Sequence, residues 1–242
     1  MTYASVNGTI GLPQITPFNL PDTTSRVAPG LIVDAVDPYW GGAEFIYCKA
    51  GGSIRQYGLV VITPSFASGQ VVYTVTEVPN TTLLGRALGV AMVPASSGQF
   101  IWVQISGVVP VNCNASVAAD TTFAIAAAGQ GGALAISKQI VNARVAVAAT
   151  QTVAKTGCTA NSGSTRLLVP NADGWFAGAY LSGTGIAAAT TVSDIDPSGT
   201  IVTLSAATTA AVTGTVTATY NNATVFYNIA HINRPFAQGA IT

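Results

Sequence analysis

"GQFIWVQISGVVPVNCNASV", residues 98–117, decides the fold: bulky apolar and polar side chains alternate, a glycine interrupts, a valine pair runs into a proline, and no charge occurs. Period-two alternation is the signature of a strand. In "QFIWVQI", Ile101, Val103 and Ile105 face one way, with Phe100, Trp102 and Gln104 opposite. Both faces are largely apolar, as expected of a sheet covered on both sides or packed on a partner.

Working outward, the chain from residue 30 reads as short strands with turn signals between them: "GLIVDAV", "AEFIYCKA", "YGLVVIT", "QVVYTVTEV", "RALGVAMV", "QFIWVQISGVV" and "TTFAIA". Helical periodicity is weak, and the best short-helix candidate, "NTTLLGRALG", is spoiled by two glycines. "AAAGQGGALAISKQIVNARVAVAAT" (126–150) opens as a glycine-rich loop and ends in strands. Composition then shifts to Thr, Ala and Gly, and residues 151–220 read as a small all-β module inserted before a closing strand and tail, 221–242. Within it "ATTVSDIDPSGTIVTLS" predicts a hairpin turning at Asp196-Pro197-Ser198-Gly199. In the closing strand Val225, Tyr227 and Ile229 share a face. Residues 1–30 hold four prolines and three glycines, which disfavour helix or central strand and predict an extended arm.

Charged residues are 7% of the 242, against roughly 25% in ordinary soluble proteins. The apolar content argues against disorder. Nine basic residues balance nine acidic ones and are scattered singly, so no basic stripe exists to track a phosphate backbone and direct nucleic-acid binding is not expected. No apolar run approaches the roughly 18 residues of a membrane-spanning helix. The first residues carry neither a basic nor an apolar leader region, so neither a membrane protein nor a Sec-exported one is expected. With so few charges there is little repulsion between copies, and a surface covered by neighbours is expected.

Catalysis needs titratable groups gathered in a pocket, and the inventory is thin. His231 is the one histidine, read as a structural residue at a strand end. Cys48, Cys113 and Cys158 are far apart without a CxxC pair, and read as small buried hydrophobes rather than disulfide or zinc ligands. Asp194 and Asp196 share a face of a predicted strand and raise calcium or glycosidase chemistry, but Asp196 before Pro-Ser-Gly is a turn former. "GQGG" (129–132) and "SGTG" (182–185) match no phosphate-binding motif and read as loop glycines. Asp37, Tyr39, Trp40 and Glu44, in "DPYWGGAEF", form the densest polar-aromatic cluster; sugar stacking is one reading, subunit contact or core anchoring the other. No catalytic residue, metal or cofactor is assigned.

"LLGRALGVAMVPASSGQFIWVQISGVVPVNCNASVAADTTFAIAAAGQGGAL" (83–134), with "GGSIRQYGLVVIT" (51–63) upstream, resembles the phage head decoration or cement proteins, whose body is a β-tulip or β-barrel. "SGTGI", "TTV" and "VTLSAATTA" within 169–218 resemble small β modules of phage virion proteins, fibres included, and typical small decoration proteins lack such a module. The resemblance implies an all-β chain: an extended N-terminal arm (1–30), a β-barrel or β-tulip-like body (31–150), a small β-sandwich-like module (151–220) and a closing segment (221–242). It further implies a non-enzymatic virion protein made in the host cytoplasm and added to the outer surface of the capsid, where it binds the major capsid protein as a homotrimer. Ile15, Phe18 and Leu20 of the arm, with Tyr39 and Trp40, are the expected capsid or subunit contacts, and the module would project outward, with weak host-surface glycan contact. A tail or fibre protein, or a carbohydrate-binding module, is the competing reading.

Overall fold

The computed structural model describes residues 4–5, 20–37, 40–67, 69–83 and 85–239. Among these every regular element is a strand, so the chain is all-β. The strands are β1 (Ala4–Ser5), β2 (Ile32–Asp37), β3 (Gly41–Ala50), β4 (Leu59–Ala67), β5 (Gln70–Glu77), β6 (Leu88–Ala91), β7 (Phe100–Cys113), β8 (Ala124–Ala127), β9 (Gln130–Gly132) and β10 (Ile140–Val147). They continue as β11 (Thr152–Ala160), β12 (Arg166–Leu168), β13 (Tyr180–Ser182), β14 (Val192–Ile195), β15 (Ile201–Leu204), β16 (Val212–Thr219) and β17 (Phe226–Ala237). The chain divides into two compact units: Ala149–Thr224 makes one, and the residues on either side of it make the other.

The larger unit holds an 11-stranded mixed sheet organised on β7. β7 pairs with β3 through Phe100–Ser106 and with β17 through Ser106–Cys113. The pairings β3–β5, β5–β4, β4–β6, β6–β7 and β7–β3 return to their starting strand, and β3–β5 is parallel. Ile101, Val103 and Ile105 are buried on one face of β7, and Trp102 and Gln104 on the other. The absence of charge in this stretch follows, because an unpaired ion there would lose its hydration without compensation. Tyr47 fills the β3 side, stacked on Phe100 at 5.8 Å between ring centroids and tilted against Trp102 at 4.9 Å.

Two prolines lie inside strands. In an antiparallel strand alternate residues turn their N–H groups to the same edge. Ile62 donates outward to Ala87 O, so Pro64, two residues on, falls where β4 has no further partner strand and loses no ladder bond. Asn112 likewise donates to Tyr57 O, away from β17, and Pro110 shares that edge. Both strands therefore run past prolines that end them in a reading by pattern. Gly107 carries φ +103° at the crossover of β7 from β3 to β17, and a Cβ there would meet Gly42 O at 2.6 Å and the Ala43 Cβ at 2.9 Å.

Among the described residues of 80–89 there is no helix, and Gly85 takes φ +58°. "GQGG" is not simply a loop. Gln130–Gly132 is β9, and a Cβ on Gly131 would meet the Phe123 ring at 2.9 Å and Cys113 Sγ at 3.0 Å.

The smaller unit is a six-stranded sheet in the order β13-β16-β11-β12-β15-β14, antiparallel throughout. Leu181 N–H to Thr190 O (2.8 Å) and Val192 N–H to Ala179 O (2.9 Å) link its two outermost strands, so the pairing closes on itself. Trp175, Phe176, Leu167 and Val216 fill its interior, with the Trp175 indole N–H donating to Val153 O.

Candidate functional site

β2 alternates strictly, with Val33, Ala35 and Asp37 inward and Ile32, Asp34 and Val36 outward. Its outward face opens onto an apolar groove of about 480 Å³ lined by Ile32, Ile46, Ile62, Pro64, Tyr73, Leu88, Ile105 and Phe236, with Gly85, Ala87, Pro235 and Arg234 completing the wall. The register brings these together from seven strands, β2 to β7 and β17. Tyr73 is held by the crossing chain at Gly30, whose φ is +97° and whose missing Cβ would sit 2.4 Å from the ring. At the mouth the Arg234 guanidinium donates to both Glu44 carboxylate oxygens, at 3.0 and 3.2 Å, and these bonds hold its pKa above the usual arginine value. Asp34 lies opposite Glu44 in the β2–β3 register.

Apart from the Tyr73 phenol and the Arg234 guanidinium, the side chains of the wall are apolar. A groove of this chemistry takes up apolar side chains. Elsewhere among the described residues no group of three or more His, Cys, Asp or Glu is placed to hold a metal ion.

A second apolar feature stands on the same unit. In the loop between β9 and β10, Ile136 is 94% exposed and Leu134 59%. A third is the tip of the β4–β5 hairpin, where Phe66 and Val71 face each other in register and are both exposed.

Of the residues expected to make contacts, Leu20 is exposed, while Ile15, Phe18 and Tyr39 lie outside the described residues. Trp40 is half-buried in the β2–β3 turn, its backbone N–H donating to Asp37 Oδ1 at 2.9 Å. Asp37 is buried and turned inward, whereas Glu44 reaches outward to Arg234. The cluster "DPYWGGAEF" is therefore split between two faces of its hairpin, and these two carboxylates do not meet in one site.

Other candidates resolve structurally. Asp196 lies beyond the end of β14, in the turn toward β15, so the strand pattern that put the two aspartates on one face stops before it. Asp196 Oδ1 accepts from the Thr200 and Ile201 N–H groups and Oδ2 from Ser198 Oγ, and the Ser198 bond leads in holding its carboxyl below the usual range. His231 sits within β17, opposite Val108 and Arg144, and is exposed rather than at a strand end. Burial pushes the Cys48 thiol up to about 12 and Cys113 to about 11, and raises Cys158; all three are buried and unpaired with one another. Such thiols are poor nucleophiles and poor ligands.

Leu134, Ile136 and the groove escaped the sequence reading. "ALAIS" after Gly-Gly carries an apolar signal that is indistinguishable from a buried segment until the fold turns it outward. Compared with protein-family models, with curated proteins and with solved structures, the chain finds no match.

Proposed function

We propose that this chain is a non-enzymatic structural protein of a phage virion, a decoration or cement protein that binds the outer surface of the assembled head and stabilises contacts between major capsid subunits. The observation that carries the reading is the surface of the larger unit: it carries an apolar groove and, apart from it, side chains as exposed as Ile136 (94%) and Phe66 (79%), in a chain with 7% charged residues. Large exposed apolar features mark surfaces that meet other proteins. The sequence patterns at 83–134 and 169–218 supply the class of assembly. In this reading the closed circuit of β3, β5, β4, β6 and β7 is the β-barrel or β-tulip-like body, the smaller unit is the sandwich-like module, and the chain acts as a homotrimer without a cofactor. Contact across a capsomer seam adds buried area that must be lost before neighbouring subunits separate, and many symmetric copies multiply a modest contact.

Cryo-EM of the virion with icosahedral averaging tests it. Density for this chain on the outer shell at threefold or quasi-threefold positions is the expected result. Density only at the tail or fibres overturns the head assignment in favour of a tail-associated role.

A further inference from the structure

We propose that the edge of β5 turned away from β4, at Val71–Tyr73, is a strand-addition site for an extended, acidic segment of another protein. The inference names a contact surface for the assembly role above and rests on that reading for the identity of the partner, not for the chemistry of the segment. β3 and β5 run parallel and share a ladder only at Lys49–Thr74 and Ala50–Val75, ending in the Gly51 N–H to Val75 O bond at 2.8 Å. Further back along β3, Tyr47 stands where it would accept from Tyr73 N–H and donate to Val71 O. Its groups are already taken: Tyr47 O accepts from Gly30 N–H at 2.7 Å, and Tyr47 N–H donates to Leu31 O at 2.9 Å. Nor does β4 use them. Ile62 N–H points away from β5 to Ala87 O, so its register partner Val75, and with it Tyr73 and Val71, turn their N–H and C=O groups away from β4. Tyr73 N–H and both backbone groups of Val71 therefore stand on an edge that no group among the described residues takes. Such an edge, with the Val71 side chain 49% exposed beside it, is a template for another extended chain.

Charge selects the occupant. The edge borders a pocket of about 610 Å³ between Val71–Val72 and the Ser25–Pro29 segment, with Lys49, Arg26 and Phe100 in its wall. Lys49 Nζ lies 5.9 Å from the centre of the Phe100 ring, and no carboxylate among the described residues pairs with it. Arg26 is paired with Asp22, whose carboxylate also accepts from the Tyr47 hydroxyl. Glu77, at the far end of β5, is held by the Arg55 guanidinium at 2.8 and 3.0 Å. Two cations and one carboxylate thus meet at the pocket, and one positive charge is unmatched. An acidic side chain on an added strand supplies the match. This chain's own N-terminal segment does not, because no Asp or Glu precedes Asp22. A second copy joined β5 edge to β5 edge would set two such pockets together, like charge against like. The occupant these features fit is a segment of a different protein, with an acidic residue among apolar neighbours that meet Val71 and Val72.

Peptide binding to the full chain tests the proposal, without any virion. The probe is a short, end-blocked, fluorescently labelled peptide in which valine alternates with glutamate; the controls are its lysine counterpart and a version N-methylated throughout. Wild type is expected to bind the glutamate peptide saturably in fluorescence anisotropy, about tenfold or more tighter than the lysine peptide, with the difference shrinking as salt is added. Hydrogen exchange at the Val71 and Tyr73 amides is expected to slow when that peptide is present. Lys49→Glu, on an exposed side chain, is expected to reverse the preference while leaving the circular dichroism unchanged. N-methylation is expected to abolish binding to wild type and variant alike. Failure of the glutamate peptide to bind, equal affinity for the two charges, undiminished binding of the N-methylated peptide, or amides already protected without peptide overturns the proposal, the last by placing a segment of this chain on the edge. None of these results bears on where the chain sits on a virion, which the cryo-EM reconstruction decides.

Discussion

The Tyr47 hydroxyl donates to the Asp22 carboxylate at 2.8 Å, and the bond ties the segment before β2 onto the aromatic cluster of the core. Asp22 is almost wholly buried and also pairs with Arg26 at 2.7 Å. Tyr47→Phe keeps the ring contacts and removes the donor, leaving a buried carboxylate one partner short. A loss of about 1–3 kcal/mol is expected in urea unfolding; an unchanged midpoint would show that Arg26 alone satisfies Asp22.

The same burial makes the fold alkali-sensitive. Desolvation raises Tyr47 from 10.0 to about 12, Tyr220 from 10.0 to about 12, Cys48 from 9.0 to about 12 and Cys113 from 9.0 to about 11. Between those pairs of values the unfolded chain has released protons that the folded chain retains, so stability falls as pH rises. It is expected to be fully present below about pH 9 and to be lost progressively up to about pH 12. Urea midpoints at pH 8 and pH 10.5 check this, and equal midpoints would contradict it.

Gly107→Ala forces a Cβ onto Gly42 O and a side-chain residue into φ +103°. Strain of that kind costs on the order of 1–3 kcal/mol, and the crossover of β7 from β3 to β17 is where it would fall. Thermal unfolding should show the drop, with Gly98→Ala, whose missing Cβ meets nothing within 4 Å but whose φ is also positive, separating the clash from the backbone strain.

Trp102→Asp places a carboxylate at a position 4% exposed. An unpaired buried charge costs several kcal/mol, a large share of a domain's stability. The variant is expected to be recovered insoluble, whereas Trp102→Phe folds with a smaller loss; a soluble Trp102→Asp chain with native circular dichroism would contradict the placement of β7.

Asp196→Ala removes the acceptor of the β14–β15 turn. Protection of the Thr200 and Ile201 amides, relative to their intrinsic exchange rates at each pH, is expected to fall in the variant, and in wild type on acidification below about pH 4, because a carboxyl held below its usual range stabilises the turn only while ionised. Unchanged protection at both amides would mean the turn holds by its backbone bonds.

The strands around Gln70–Glu77 and Phe100–Ile105 were legible because β-branched and aromatic residues alternate there without a breaker. What lay beyond Pro64 and Pro110 was not, since a proline's tolerance depends on which edge its missing N–H faces, and that is fixed by the partner strand. The Asp194–Asp196 face failed because β14 ends at Ile195 and Asp196 belongs to the turn, where its carboxylate accepts from the Thr200 and Ile201 amides. The groove was out of reach altogether. Ile32, Tyr73 and Phe236 are far apart in the chain, and only the register of β2, β5 and β17 makes them neighbours. Ile136 illustrates the converse, an apolar residue whose exposure no local pattern reveals.

β17 pairs with both β7 and β10, yet residues 149–224 are made before it. During synthesis the smaller unit can therefore close on the ribosome while β7 and β10 still wait with open edges for the strand between them. The order of birth is thus opposite to the order of rank: the sheet that carries the groove is the last to be completed. A nascent chain halted before residue 226 presents bare strand edges, a template for aggregation, and a host with holdase chaperones should raise the yield of the full chain.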